Sequence, residues 1–160
     1  MEFGLDKCKI IDLKKGTLNS SNNFNMDNDK VIESLNPGDN YKYLGIMQLR
    51  GINHSEIKVK LIDDFKKRIQ AICKTNLTSA NKIKAINTYA IPTLTYSFGI
   101  IKWSATDLES ICRTTRVILT KYRMHHPNSA IERISLPIDV GGVGILDIHR
   151  LHQSQIKSLR

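Results

Sequence analysis

The side chains typed and spaced for covalent or metal chemistry are few. Asp63 and Asp64 form an adjacent carboxylate pair, an arrangement that holds Mg²⁺ only when a further carboxylate converges on it from another strand. Here the pair is flanked by Lys60, Lys66 and Lys67 inside a helical repeat, and it reads as a solvated, salt-bridged face. His149 and His152 stand at i and i+3 without an H-E-x-x-H pattern or a third ligand, so no metal site built from histidine is expected: one ring packs and the other is solvated. Gly141-Gly142-Val143-Gly144 looks superficially like a phosphate-cradling loop. It lacks both the Lys and Ser/Thr of a P-loop and the six-residue glycine spacing of a dinucleotide site, and it reads as a flexible connector. Cys8, Cys73 and Cys112 are odd in number, far apart and without C-x-x-C spacing; reduced, buried thiols are expected.

The chemistry left is electrostatic. Twenty-four Lys and Arg against fifteen Asp and Glu give a formal charge of +9, which favours a polyanionic partner, nucleic acid first. Residues 1–40 carry five basic and seven acidic side chains, residues 41–103 eleven and three, and residues 104–160 eight and five. The middle segment is the electropositive region. No apolar run approaches the ~20 residues that span a bilayer, and no apolar anchor or membrane-surface helix of the usual kind is obvious, so no membrane is expected. The opening residues show no secretory pattern, and an intracellular location, cytoplasmic or nuclear, is expected.

The elements that would position these cations can be read from period and punctuation. Ile10, Ile11 and Leu13 predict a short strand ending at Lys14-Lys15-Gly16. The Asn- and Ser-rich stretch after it predicts a loop or weak hairpin. Val31 and Ile32 begin a second strand, Asn36-Pro37-Gly38-Asp39 reverses the chain, and residues 41–50 read as a strand with Tyr41, Tyr43, Gly45, Met47 and Leu49 on one face. A glycine inside such a strand marks a bulge or a close backbone approach.

From Glu56 the period changes: Ile57, Leu61, Phe65, Ile69 and Ile72 make the buried stripe of a five-turn helix, with Lys58, Lys66, Lys67 and Lys74 on or near its exposed side. Thr78 or Ser79 caps a second helix, which Pro92 kinks or ends. The apolar stretch after Pro92 suits either a continuing helix or a strand. Ser104 with Asp107, or Thr106 with Glu109, offers a capping box for a third helix, which stops around His125-His126-Pro127. A short helix over 129–134, the glycine-rich connector and a last helix over 146–159 complete the chain. The fold class is α+β: a small N-terminal β-hairpin region, then a mostly helical lobe.

Three stretches, in order, resemble the reverse transcriptase of non-LTR retrotransposons, from just after its catalytic strand pair to the end of its thumb. Phe3-Gly4-Leu5-Asp6-Lys7-Cys8-Lys9 is similar to motif D of the palm, and Tyr41-Lys42-Tyr43-Leu44-Gly45-Ile46 to motif E, the primer-grip β-hairpin. Residues 85–103, AINTYAIPTLTYSFGIIKW, with Leu136-Pro137 and Gly141-Gly142-Val143-Gly144-Ile145 after them, are similar to the thumb and the region that follows. The resemblance implies a palm remnant over 1–50, a basic helical thumb over 51–125 and a helical post-thumb region over 126–160.

It also implies roles. Lys7 would lie near incoming nucleotide phosphates; Tyr41, Tyr43, Leu44 and Gly45 would support the primer end; Lys58, Lys66, Lys67 and Lys74 would lie along the backbone of an RNA/DNA template–primer duplex. The family's paired aspartates in a Y/F-A-D-D box are absent from this sequence, so the chain is expected to grip rather than polymerise, and Mg²⁺ would belong to the missing catalytic palm. The expected function is that of a truncated fragment of an RNA-directed DNA polymerase, with the remainder of such a polymerase as a possible partner. A non-enzymatic protein-interaction module and a functionless relic are the alternatives.

Overall fold

The computed structural model describes residues 8–20, 22–26, 30–39, 41–43, 46–48 and 53–159, and the change of hydrophobic period near residue 54 becomes a change of architecture. The chain divides into two compact units, Met1–Asn53 and His54–Arg160. The first holds short strands and the second is helical, so the fold class is α+β.

Among the described residues of the first unit, six three-residue strands pair antiparallel in twos: β1 (Asp12–Lys14) with β2 (Thr17–Asn19), β3 (Phe24–Met26) with β4 (Lys30–Ile32), and β5 (Tyr41–Tyr43) with β6 (Ile46–Gln48). Lys15 and Gly16 join β1 to β2 with φ of 51° and 79°, both left-handed, as a type I′ hairpin turn demands. The Asn-rich stretch therefore becomes strand pairing rather than open loop. The reversal at Pro37-Gly38 is closed by the Asp39 N–H donating to the Asn36 carbonyl at 3.0 Å, while the Asp39 carboxylate accepts from the Asn36 N–H at 3.0 Å.

The single strand expected over 41–50 is corrected to a hairpin. Tyr41 pairs with Gln48, Lys42 with Met47 and Tyr43 with Ile46, in antiparallel register. Ile10 bridges Ser34 in parallel, with the Leu35 N–H donating to the Ile10 carbonyl at 2.8 Å, and Lys9 pairs with Glu33. Leu35 is buried, whereas Ile11, Leu13, Phe24, Met26 and Val31 are 42–65% exposed.

The second unit is built on α1 (His54–Lys74). Its apolar residues recur every four positions and so drift about 40° per repeat around a 3.6-residue helix; the buried stripe Ile57, Phe65, Ile69 and Cys73 follows that drift. Thr78 caps α2 (Ser79–Ala85), its hydroxyl accepting from the Asn81 N–H. The helical run then passes through a π-turn (Ile86–Ala90) into α3 (Ile91–Thr95). Pro92 does not end the run. A proline ring clashes with the carbonyl four residues back and donates no hydrogen bond; widening the preceding turn, with the Ile91 N–H reaching the Ile86 carbonyl, changes the register of the carbonyls at that point. The stretch after Pro92 continues as helix and turns.

The Ser104/Asp107 capping box opens α4 (Ala105–Lys121), which buries Leu108, Ile111, Thr115, Ile118 and Leu119. Lys58 lies against Asp107 and Cys73 against Met124, so α1 and α4 run in the same direction. The helix stops before the His-His-Pro stretch. Arg123 takes φ 58°, and the N–H groups of Arg123 and Met124 donate back to the carbonyls of Thr120 and Leu119, a Schellman ending usually assigned to glycine. Holding a non-glycine residue there costs about 1–2 kcal/mol.

Residues 126–160 pack within the His54–Arg160 unit: α5 (Ile148–Ser158), capped by Asp147, lies against α3 and α4. The glycine-rich segment is not an open connector. Val143 and Ile145 donate backbone hydrogen bonds to Arg133 and Ile134, Gly144 donates to Leu136, and a Cβ at Gly142 would lie 1.9 Å from the Leu136 carbonyl oxygen. Asn87, in the π-turn, completes the attachment, donating to the Gly144 carbonyl at 2.8 Å and accepting from the Leu146 N–H at 3.1 Å. The core they close over includes Phe65, Ile69, Leu94, Phe98, Ile111 and Leu119, each apolar side chain contributing roughly 1.5–3 kcal/mol on burial.

Candidate nucleic-acid interface

The whole net charge sits on the helical unit. Residues 54–160 contain seventeen Lys and Arg against eight Asp and Glu, and residues 1–53 contain seven of each. Within α1 the solvent side reads Glu56, Lys60, Asp63, Lys67, Gln70 and Lys74, all exposed. Seven residues are just under two turns, so Lys60, Lys67 and Lys74 form a line about 21 Å long at 1.5 Å per residue.

The four lysines expected to bind phosphate on this helix differ in what they already touch. Lys58 is a correction: its ammonium lies 2.6 Å from the Asp107 carboxylate and 5.7 Å from the centre of the Trp103 ring, with only 21% of its side chain exposed. It fastens α1 to the α4 capping box and faces inward. The hydrogen bond from Lys58, joined by the Ser104 N–H and hydroxyl, holds Asp107 at about 2. Lys67 is exposed, but Asp63 sits 2.6 Å from its ammonium and raises its pKa. Lys66, half-buried, and Lys74, exposed, have ammonium groups without a partner among the described residues.

Two other cations in the basic segment are also committed. Arg68 donates to the Tyr89 carbonyl at 2.8 Å, inside the π-turn, and Lys82 donates to the Cys73 carbonyl at 2.9 Å, capping α1. Lys60 and Lys84 are exposed and uncommitted among the described residues. Neither was singled out from sequence, although the seven-residue interval from Lys60 through Lys67 to Lys74 carries the signal for the first. Because α1 and α4 are parallel, Lys74 comes to the same end of the unit as Lys121 and Arg123.

The primer-end residues lie in the first unit. Tyr41 is half-buried on β5 and Tyr43 is the last residue of that strand; Lys7, Leu44 and Gly45 lie outside the described residues. The structure thus brings the α1 lysines onto one helix.

A mostly apolar cleft of about 230 Å³ beside α4 is lined by Glu109, Cys112, Arg116, Ile134, Ile145 and His149 among others. In its lining the Glu109 carboxylate lies 3.7 Å from the Arg116 guanidinium and 3.6 Å from the His149 ring. Burial, with Glu109 and Asp147 nearby, pushes the Cys112 thiol up to about 11, the wrong direction for a nucleophile. Burial likewise raises Cys73. His152 packs edge-on to Phe98 at 5.1 Å, and burial lowers its pKa. Among the described residues no group of three or more His, Cys, Asp or Glu is placed to hold a metal ion, and no helix is long and apolar enough to cross a membrane.

No family model matches the sequence, and no solved structure matches it. The chain is similar to an uncharacterized protein of Caenorhabditis elegans, 27% identical over 117 residues that cover 72% of this chain and 33% of that protein. The chain therefore spans about a third of the length of the curated relative it matches.

Proposed function

We propose that this chain is the template–primer-gripping part of a non-LTR retroelement RNA-directed DNA polymerase, binding an RNA/DNA duplex through its phosphates and not catalytic by itself. The observation that supports the gripping role is the confinement of the entire +9 charge to the helical unit, with uncommitted lysines along the exposed side of α1. Contacts of this kind neutralise phosphates and release counterions, holding a duplex without reading its sequence. The polymerase assignment rests on the resemblance of the motif D, motif E and thumb segments. In that reading the Mg²⁺-binding carboxylates belong to a palm outside this sequence, and β5–β6 serves the primer end.

Exposed apolar side chains on the hairpins, Leu13, Phe24 and Val31 among them, favour a second reading, a non-enzymatic module that binds protein. Within the first reading the same side chains would meet the rest of the polymerase. Salt separates the two. Duplex affinity should fall steeply as salt rises from about 50 to 200 mM, whereas an apolar interface responds weakly. Fluorescence anisotropy with a labelled RNA–DNA hybrid makes the measurement; no binding at the low-salt end sinks the proposal. Primer extension by the purified chain with Mg²⁺ present would overturn its non-catalytic part.

A further inference from the structure

The ending of α4 and the loop after it border a second cleft, of about 230 Å³, whose lining includes Arg123, His125, His126, Ser129 and Arg133 and contains no Asp or Glu. Four features of it point the same way. Arg123 occupies the left-handed position after α4 where glycine is unstrained, and its guanidinium has no partner among the described residues. A glycine would end the helix equally well, so the strain is compensated by nothing among the described residues.

Arg133 uses one donor, Nε, on the Gly141 carbonyl at 3.0 Å. That bond fixes the plane of the guanidinium and leaves its two terminal nitrogens uncommitted. The His126 Nδ1 accepts from the Asn128 N–H at 3.2 Å, which places the proton of the neutral ring on Nε2 as a donor. Buried His125 is held below its usual pKa by burial first, then by the charges of Arg116, Arg133 and His126, the direction expected where positive groups gather without an anion.

Two guanidinium groups, an imidazole N–H and the Ser129 hydroxyl suit an oxyanion with several acceptors. Planar guanidinium groups match phosphate oxygens in pairs, and the cleft is smaller than the ~300–1,000 Å³ typical of organic-ligand pockets. We propose that this cleft is a phosphate-binding site that takes one phosphate group, ester or free, between Arg123 and Arg133. The inference rests on the proposed function only for the source of that phosphate, a nucleic-acid backbone or end.

The test uses the full chain and follows the imidazole resonances of its five histidines by NMR. Inorganic phosphate is added against chloride of equal ionic strength. Saturable shifts at His125 and His126, with His54 and His149 unmoved, are expected. Arg123→Gly should keep the fold, since glycine suits that position, and should weaken phosphate binding by about tenfold or more; Arg133→Gln should do the same. The same variants are then tested on an oligonucleotide carrying a 5′-phosphate and on its 5′-hydroxyl counterpart. Loss on the first alone assigns the site to a terminal phosphate, and loss on both assigns it to the backbone. Loss confined to inorganic phosphate leaves the cleft as a phosphate site and removes its link to nucleic acid. Absence of saturable shifts with phosphate, or unchanged binding in both arginine variants, overturns the proposal.

Discussion

Replacing Lys60, Lys66 and Lys74 together by glutamine removes three ammonium groups that no acid of the described chain holds, and leaves the apolar stripe of α1 untouched. If each contacts one phosphate, each contributes about 0.9 to the slope of log affinity against log salt. Over a fourfold rise in salt that is about 3.5-fold per contact and about 40-fold for three. The triple variant should therefore show a slope shallower by about 2.7, with equal losses on hybrids of different sequence, because phosphate contacts carry no base information. Lys67 is omitted because Asp63 already lies 2.6 Å from it. Lys58→Gln is the control: its ammonium belongs to Asp107, so the slope should stay and the thermal midpoint should fall. Anisotropy titrations of a labelled RNA–DNA hybrid across a salt series give the slopes, and a melt of each variant checks the fold. A triple variant with the parental slope, or Lys58→Gln flattening it as much as the triple does, refutes the assignment of cations to phosphates.

Other outcomes follow from the same contacts. Asp107→Ala should lower stability by about 1 kcal/mol through loss of the capping box. The native Asp107 carboxyl is held at about 2, below its ordinary 3.8; the stability it adds is complete above the unfolded value and lost as pH falls through the folded one, so the two proteins' melting points should converge between about pH 4 and pH 2. Cys112, pushed up to about 11, has roughly a thousandth of its population as thiolate at pH 8; iodoacetamide and mass spectrometry should find it nearly unlabelled in native protein, and fast labelling would contradict its burial. Ile69→Ala and Leu119→Ala, both at fully buried positions, should each cost about 2–5 kcal/mol in denaturant unfolding. Asn87→Ala should speed amide exchange at Leu146, whose N–H loses its acceptor, while the Gly144 N–H keeps its bond to the Leu136 carbonyl.

The helices were legible because their period is carried by many residues at once. Leu108, Ile111, Cys112, Thr115, Ile118, Leu119 and Tyr122 recur at helical spacing in the sequence, and all are buried or half-buried; the Ser104/Asp107 box that starts the helix is a local signal four residues long. Features set by a single residue against its tertiary surroundings were harder to read. Pro92 forbids an ordinary turn but does not say whether the chain breaks or widens into a π-turn. Arg123 ends α4 in a conformation that its own type disfavours, so no turn signal precedes the His-His-Pro stretch. Gly142 signals freedom, whereas its neighbour, the Leu136 carbonyl, makes it a position where no side chain fits.

The cations proposed to bind phosphate stand out in the sequence as a class and not as individuals, for a physical reason. A sequence counts every lysine as one charge, yet in a folded chain some of that charge caps helix ends and pairs with carboxylates. In the segment 41–103 at least four of the eleven cations do so: Lys58 with Asp107, Lys67 with Asp63, Arg68 with a carbonyl of the π-turn and Lys82 with the last turn of α1. Those four spend their charge on holding the helices together, and a phosphate would compete with groups already in place. Conversely, Lys121 and Arg123 fall outside the segment that looked electropositive, but the parallel run of α1 and α4 carries them to the end of the unit where Lys74 stands. The surface proposed for a polyanion is therefore set by helix direction and prior pairing rather than by local composition, and its cations come from segments about fifty residues apart.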